Sequence, residues 1–333
     1  MNKNKAKKEN LSTKAISLKR IGKYRTEISM FIVLIVFFII ISFLSEYFFT
    51  SKNLANVLTQ VSTNAVLSIG MSLVIITGGI DLSVGSILGL SGMLAGMIME
   101  SSGNVFLAII VALAIGLVVG LINGYLVGYM YLPAFITTLG TQQICRSLDY
   151  VISDGDSSSK FPESFEWLGR GAFLGIKSIK NYQIIIIILY VVFIFILMKT
   201  KFGRYLYAIG SNAEATKVSG VNVKFNTMMV YVLSGLLSAV AALIYISRMM
   251  AVDATYGNGT EMDAIAAVVI GGISMSGGKG TLYGTIIGIF LVGFLRNALN
   301  LLGINPFWQG SAIGAVIILA VLAEKVTSSR KRV

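Results

Sequence analysis

The stretch GGIDLSVGS, residues 78–86, interrupts a long apolar run and decides the fold of this chain. Apolar residues precede it from Val61 and continue after it to Met99, as in two consecutive helices. The stretch itself holds paired glycines and a carboxylate, Asp81, and neither favours a helix in hydrocarbon. We therefore predict a break within the membrane here, or a tight hairpin between two helices.

The composition places the whole chain in a membrane. Of its 333 residues, 55% are hydrophobic and only 13% are charged. Apolar runs such as 105–127 and 228–246 are long enough to cross about 30 Å of hydrocarbon. These runs are continuous rather than alternating, which excludes an outer-membrane barrel. The predicted fold class is therefore all-α, a polytopic membrane protein.

The apolar runs predict about ten transmembrane helices. The eighth is short, as in a discontinuous helix, and a second interruption follows it near 271–280. The predicted spans are 28–48, 55–78, 83–100, 105–128, 133–151, 182–198, 227–247, 262–274, 281–302 and 307–323.

The charge distribution orients these spans. The net charge is +12, but the basic residues gather in the two tails and in one loop, which argues against a nucleic-acid partner. An even number of spans places both termini on one side, and the positive-inside rule makes that side cytoplasmic. Most acidic residues, Glu261 and Asp263 among them, then fall outside. The predicted parts are basic cytoplasmic tails 1–27 and 324–333, a transmembrane domain 28–323, an extracytoplasmic loop 152–181 and a cytoplasmic loop 199–224.

The residue inventory excludes most catalytic chemistry. There is no histidine and one cysteine, Cys145, so imidazole catalysis and an intrachain disulfide are impossible. The segment GGISMSGGKGT, 271–281, fails as a phosphate-binding loop: Gly280 follows Lys279, and Ile273 stands where the first glycine is required. We predict no catalytic residue, no cofactor and no metal site, and the chain is not expected to be an enzyme.

Part of the stretch 78–86 is repeated in the second half of the chain. GGIDLSVG (78–85) and GGISMSGG (271–278) share Gly-Gly-Ile-x-x-Ser-x-Gly. Glycine-interrupted segments in both halves indicate a transport path, the alternative being chance among 35 glycines. Ser83 and Ser276 are candidate N-caps of the helices that follow. Asp81 has no counterpart in the repeat, and it either caps the same helix or contacts cargo.

Polar residues inside the predicted spans are candidates for the transport path, because lipid makes them costly. Their alternative role is structural, in hydrogen bonds or ion pairs between helices. Gln142, Arg146 and Asp149 share one helix face, and the last two are spaced for an i,i+3 contact. Neutral amides without a proton relay favour a polyhydroxyl or other neutral solute. The candidate path residues are Asn64, Asp81, Ser83, Asn123, Gln142 and Asn297.

The cytoplasmic segment GSNAEATKVSGVNV, 210–223, predicts a short, delimited helix. Ser211 and Glu214 have the spacing of a capping box, and Gly220 suits a left-handed C-cap, giving a helix at 212–219. Eight residues are not stable alone in water, so this helix must pack on something. It is either an ordinary connector or a docking helix for a cytoplasmic partner.

These motifs resemble the permease subunits of bacterial ABC sugar importers, most closely the ribose-type permeases. The resemblance runs in collinear order over residues 50–323. It implies a multi-pass permease in the bacterial cytoplasmic membrane that moves a monosaccharide such as ribose. The motifs that carry it are GGIDLSVGS (78–86), GRYLYAIGSNAEATKVSGVNV (203–223), MDAIAAVVIGGISMSGGKGT (262–281) and LNLLGI (299–304).

The resemblance also implies partners. These are an ABC ATPase subunit, an extracytoplasmic sugar-binding protein, a second permease copy or paralogue, and membrane lipid. It assigns the segment 203–223 to coupling with the ATPase, through Gly203, Gly210, Ser211, Asn212, Glu214, Ala215 and Gly220.

Other functions stay open at this point. The same ABC architecture also serves nucleosides, autoinducer-2 and branched-chain amino acids. A secondary transporter would have no need of a docking helix and would more often carry titratable groups in its spans. A purely structural membrane subunit would not explain two interrupted segments.

Overall fold

A computed structural model of the chain describes residues 25–305 and 307–329. Most of the two predicted basic tails, 1–27 and 324–333, lies outside the described residues. The helices are α1 (Arg25–Leu44), α2 (Ser51–Ile76), α3 (Val84–Ser102), α4 (Val105–Gly128), α5 (Ala134–Ser153), α6 (Glu166–Gly169), α7 (Asn181–Lys199), α8 (Lys201–Ser211), α9 (Ala213–Val218), α10 (Val223–Met249), α11 (Thr260–Ile270), α12 (Leu282–Leu301) and α13 (Phe307–Ser329). A 3-10 turn (Glu163–Phe165) and an antiparallel hairpin of β1 (Ala172–Phe173) and β2 (Ile176–Lys180) complete the described elements.

The all-α membrane fold is confirmed. Each predicted span coincides with one helix, in the order α1 to α5, α7, and α10 to α13. Six of these helices, α2, α3, α4, α7, α10 and α12, are long and apolar enough to cross a membrane by length and composition. The total of ten spans and the cytoplasmic side of the termini stay predictions.

The centre of the fold is the contact of α10 with α4, which small residues allow to be close. Gly116, Gly120 and Gly124 recur every four residues on α4 and meet the backbone of α10. A Cβ atom on Gly116 would overlap the carbonyl oxygen of Gly235, and one on Gly235 would overlap that of Gly116. Such small-residue stripes let membrane helices pack backbone to backbone.

Both predicted breaks are present and end their helices in the same way. Gly78, after α2, has φ +85°, and Gly272, after α11, has φ +89°. At each site this amide and the next one donate to carbonyls three and five residues earlier, the Schellman arrangement that closes a helix. Gly78 therefore corresponds in structure to Gly272, although the sequence alignment pairs it with Gly271. The structural repeat is offset from the sequence repeat by one residue.

Neither of the two predicted serines caps its helix through its side chain. Helix α12 begins after Thr281, whose hydroxyl accepts from the amide of Gly284 at 3.2 Å. Ser276 lies in the preceding turn, five residues too early. Ser83 occupies the N-cap position of α3, but its hydroxyl accepts from the side-chain amide of Asn123 and donates to Asp81, so it makes no cap hydrogen bond.

The cytoplasmic segment also begins its short helix differently from the prediction. Helix α8 runs through Ser211, so Ser211 cannot be an N-cap, and the predicted capping box with Glu214 is wrong. The cap is Asn212, whose side-chain oxygen accepts from the amide of Ala215 at 2.9 Å. Gly220 does end the helix in a left-handed conformation, at φ +83°.

Candidate transport site and coupling surface

Helix α11 is too short to cross a membrane. Its 11 residues span about 16 Å, roughly half of the hydrocarbon core. Its C-terminal end meets the first turn of α12, where the backbones of Gly271 and Gly284 touch. With the predicted topology, its N-terminal end at Thr260 would lie near the middle of the membrane, and residues 250–259 would enter the membrane to reach it.

The first turn of α11 carries two buried carboxylates. Glu261 and Asp263 are each 5% exposed, and their place on the outer side of the membrane stays a prediction. Sequence reasoning missed them because it placed the start of this helix at the membrane surface. The signal available was the shortness of the eighth span together with two acids in its first turn, where the helix N-terminus favours negative charge.

Each of these carboxylates reaches a different helix. Glu261 accepts from the side-chain amide of Gln142 on α5 at 3.1 Å. Asp263 accepts from the amide of Asn64 on α2 at 3.1 Å and from the guanidinium of Arg296 on α12 at 2.7 Å. Two predicted path residues, Asn64 and Gln142, thus lie on either side of one half-helix. We call Asn64, Gln142, Glu261, Asp263 and Arg296 the α11 site.

The α11 site is open on one side of the chain. Between the two carboxylates, Met262 is 46% exposed, and Gln60 beside Asn64 is also exposed. A cavity of about 30 Å³ lies between Gln60, Asn64, Asp263 and Arg296. This volume suffices for about one or two water molecules.

Arg146 satisfies the irregular backbone that leads into α11. Its guanidinium donates to the carbonyls of Ala254 and Tyr256 at 3.0 and 2.7 Å. Irregular backbone at membrane depth needs such partners, since no water reaches it. The predicted contact with Asp149 is present at 3.7 Å. Arg146 therefore holds the segment that leads into α11 against α5.

Three other predicted path residues form one buried network at the first break. Asp81 accepts from the amide and hydroxyl of Ser83 at 3.0 and 2.6 Å and from the hydroxyl of Ser234 at 2.8 Å. Asn123 donates to the Ser83 hydroxyl at 2.8 Å and accepts from Thr141 at 2.7 Å. Asp81 is 1% exposed and Asn123 is fully buried. The network joins α3, α4, α5 and α10.

Asn297, the last predicted path residue, lies apart from both groups. Its amide pairs with that of Asn53 through two hydrogen bonds of 2.9 and 2.7 Å. Both side chains are buried. The pair joins the N-terminal end of α2 to the C-terminal part of α12.

The segment predicted to couple to an ATPase divides into a buried part and an exposed part. Asn212, Glu214 and Ala215 are exposed on α9 and its cap, whereas Gly203 is buried at the bend between α7 and α8. A Cβ atom on Gly210 would overlap the carbonyl oxygen of Ile76, the last residue of α2. The coupling segment therefore leaves α9 exposed, while Gly210 before it packs against the end of α2.

A family model described as a branched-chain amino acid transport system permease component matches residues 53–321. The chain belongs to this permease family. Among its relatives, the ribose import permease protein RbsC of Bacillus subtilis (strain 168) is 44% identical over 301 residues, covering 90% of this chain and 92% of the relative. That of Haemophilus influenzae is 42% identical over 316 residues, covering 94% and 97%. The galactose/methyl galactoside import permease protein MglC of Escherichia coli (strain K12) is 36% identical over 335 residues, covering 96% and 99%.

No solved structure matches this permease. The family confirms the predicted resemblance and places the chain in the bacterial cytoplasmic membrane as a multi-pass protein. The relatives are permease components and not enzymes.

Proposed function

We propose that this permease is the transmembrane subunit of an ABC importer for a monosaccharide, ribose or a similar pentose or hexose. The observation that carries the proposal is the α11 site, where two amides, the Asp263–Arg296 ion pair and Glu261 surround the exposed start of a broken helix. Discontinuous helices near the membrane midplane form the substrate sites of many transporters. The ribose and galactose permeases among the relatives support the same cargo class.

The chemistry of the α11 site suits sugar hydroxyls. The amides of Asn64 and Gln142 can both donate and accept, as a hydroxyl does. Arg296 pairs with Asp263 at 2.7 Å, whereas Glu261 accepts from Gln142 and makes no ion pair with the described part of the chain. A branched-chain amino acid, the cargo in the family description, would bring a carboxylate that needs a cation, and Arg296, the cation of the α11 site, is already paired with Asp263.

The transport path lies between two permease copies. A cavity of about 30 Å³ beside Asn64 is too small for a pentose. Met262 lies exposed between Glu261 and Asp263, and a second copy related by a two-fold axis would face it with its own α11 site. The enclosed space would then have polar walls from both copies. Weak amide contacts suit such a path because tight binding would slow release.

Energy comes from partners. A separate ABC ATPase hydrolyses ATP and docks on α9, and an extracytoplasmic binding protein delivers the sugar. The end of α8, just before α9, contacts both breaks. Gly210 touches the carbonyl of Ile76, and this carbonyl also accepts from the amide of Gly278 at 2.8 Å. These are backbone contacts, which cannot yield by changing a rotamer. A displacement of α9 would therefore reach α2 and the turn before α12 together.

The proposal is tested by reconstituting the permease in liposomes with its ATPase and a ribose-binding protein and measuring ATP-driven ribose uptake. Gln142→Leu removes the partner of Glu261, so we expect uptake to fall at least tenfold while the complex still assembles. The matched control is Gln143→Leu on the next residue, which is exposed and makes no hydrogen bond with the described part of the chain. Equal uptake by both variants would exclude the α11 site from the path. No ribose uptake by the unchanged permease, with leucine uptake when a leucine-binding protein replaces the ribose-binding protein, would overturn the cargo class.

A further inference from the structure

A second cavity, of about 390 Å³, lies beside the turn that precedes α12 and shares no residue with the α11 site. The C-terminal part of α7 forms one wall, and the first turn of α12 forms the other. The predicted topology places this end of both helices at the cytoplasmic face. The lining residues are Ile194, Leu197, Met198, Tyr207 and residues 278–283.

One end of this cavity is cationic. The amine of Lys279 is exposed and has no hydrogen bond or ion pair within residues 25–305 and 307–329. The hydroxyl of Tyr207 donates to the carbonyl of Gly280 at 2.9 Å, which holds the turn that carries Lys279. Lys199 and Lys201, at the junction of α7 and α8, are exposed nearby in the chain.

The other end of the cavity continues into an apolar stripe. Val191, Phe195 and Met198 lie on successive turns of α7 and are 62%, 60% and 47% exposed. In a membrane protein such a stripe faces acyl chains. The rim opposite Met198 is Tyr283, another partly exposed apolar side chain. The cavity therefore joins a free amine at the membrane surface to a lipid-facing groove.

We propose that this cavity binds an anionic phospholipid of the cytoplasmic leaflet, with its phosphate on Lys279 and one acyl chain along α7. Basic pockets between membrane helices on the cytoplasmic side recognise acidic headgroups in this way. A free phosphate would leave the apolar walls uncovered. A second copy of the chain packed here by two-fold symmetry would bring the basic groups of both copies together, which opposes that contact.

The test is native mass spectrometry of the full chain in detergent, titrated with phosphatidylglycerol, phosphatidylcholine or the soluble headgroup glycerophosphoglycerol. We expect phosphatidylglycerol to bind in preference to phosphatidylcholine, and Lys279→Gln to reduce that binding at least fivefold. The control is Lys160→Gln, a lysine with an 86% exposed side chain in the predicted extracytoplasmic loop, which should bind as the unchanged chain does.

Three results would overturn the lipid site. These are equal binding of the two lipids, unchanged binding by Lys279→Gln, and competition by glycerophosphoglycerol as effective as that by the lipid. The last result would indicate a phosphate site without an acyl groove. Met198→Gln supplies an independent check, since a polar side chain in the groove should weaken lipid binding while leaving the charge of the cavity unchanged. Thermal unfolding of each variant separates loss of binding from loss of fold.

Discussion

At the scale of single residues, Asp81 shows how a carboxylate is held inside this permease. The sequence left two roles open, a cap for the following helix or a contact with cargo. In the structure its oxygens accept three hydrogen bonds, two from Ser83 and one from Ser234, and the side chain is buried. One of these bonds, from the amide of Ser83, orders the start of α3. The network therefore gives Asp81 a role in joining the break to α10.

Two substitutions distinguish a structural role of Asp81 from a contact with cargo. Asp81→Ala leaves the donors of Ser83 and Ser234 without an acceptor, which should cost on the order of 1–3 kcal/mol for each buried group left unsatisfied. Asp81→Asn keeps an acceptor toward Ser83, and the hydroxyl of Ser234 can turn to accept from the new amide. We expect the midpoint temperature of unfolding in detergent to fall for Asp81→Ala only. Ribose uptake should fall in the same variant and stay unchanged in Asp81→Asn. An Asp81→Asn permease that folds normally but does not transport would instead show that the carboxylate contacts cargo.

Some residue contacts could be predicted from spacing and others could not. The Arg146–Asp149 contact follows from their positions on one helical turn, and it is present. The carbonyl partners of Arg146 could not be predicted, because Ala254 and Tyr256 are more than 100 positions away in an irregular segment. Local spacing determines contacts along one helix, whereas contacts between elements depend on the complete packing.

At the scale of elements, the helix end predicted at Gly220 is present, whereas the side-chain caps predicted at Ser211 and Ser276 are wrong. Gly78, Gly220 and Gly272 all adopt the left-handed conformation that ends a helix, which few other residues tolerate. Several residue types can cap the start of a helix, so this segment allowed two caps: Ser211 paired with Glu214, or Asn212. The continuation of α8 through Ser211 decided between them, and this end of α8 packs against Ile76 and Gly278, which are far away in the sequence.

The cap of α9 gives a prediction about ATPase docking. Asn212→Ala removes the side chain that holds the first turn of a six-residue helix, at a cost of about 0.5–2 kcal/mol. Since such a short helix has little other stabilisation, we expect Asn212→Ala to reduce co-purification of the ATPase severalfold. Ser211→Ala is the matched control, because the Ser211 side chain caps nothing. The reverse result, with Ser211→Ala more damaging, would restore the capping box that the sequence suggested.

At the scale of the whole molecule, the exposed faces differ in chemistry. Helix α7 exposes an apolar surface that includes Ile187, Val191 and Phe195, and it suits lipid. The face around α11 exposes Met262 among polar groups, with Gln60 on α2 and Asn258 before α11. A polar surface of this kind at membrane depth needs cover, which a second copy would supply. The two faces therefore indicate which side of the permease meets lipid and which meets its partner.

This difference predicts the geometry of the dimer through cysteine cross-linking. The native Cys145 is buried and is first replaced by alanine, so that each introduced cysteine is the only thiol in its chain. We expect Met262→Cys to cross-link two copies under mild oxidation, because α11 would face its symmetry mate across the path. Phe195→Cys, on the lipid face of α7, should stay monomeric under the same conditions. ATP trapping on the associated ATPase should change the yield at position 262, since the path opens and closes there. Cross-linking at position 195 without any at position 262 would place the dimer interface on α7 and remove the α11 site from the axis.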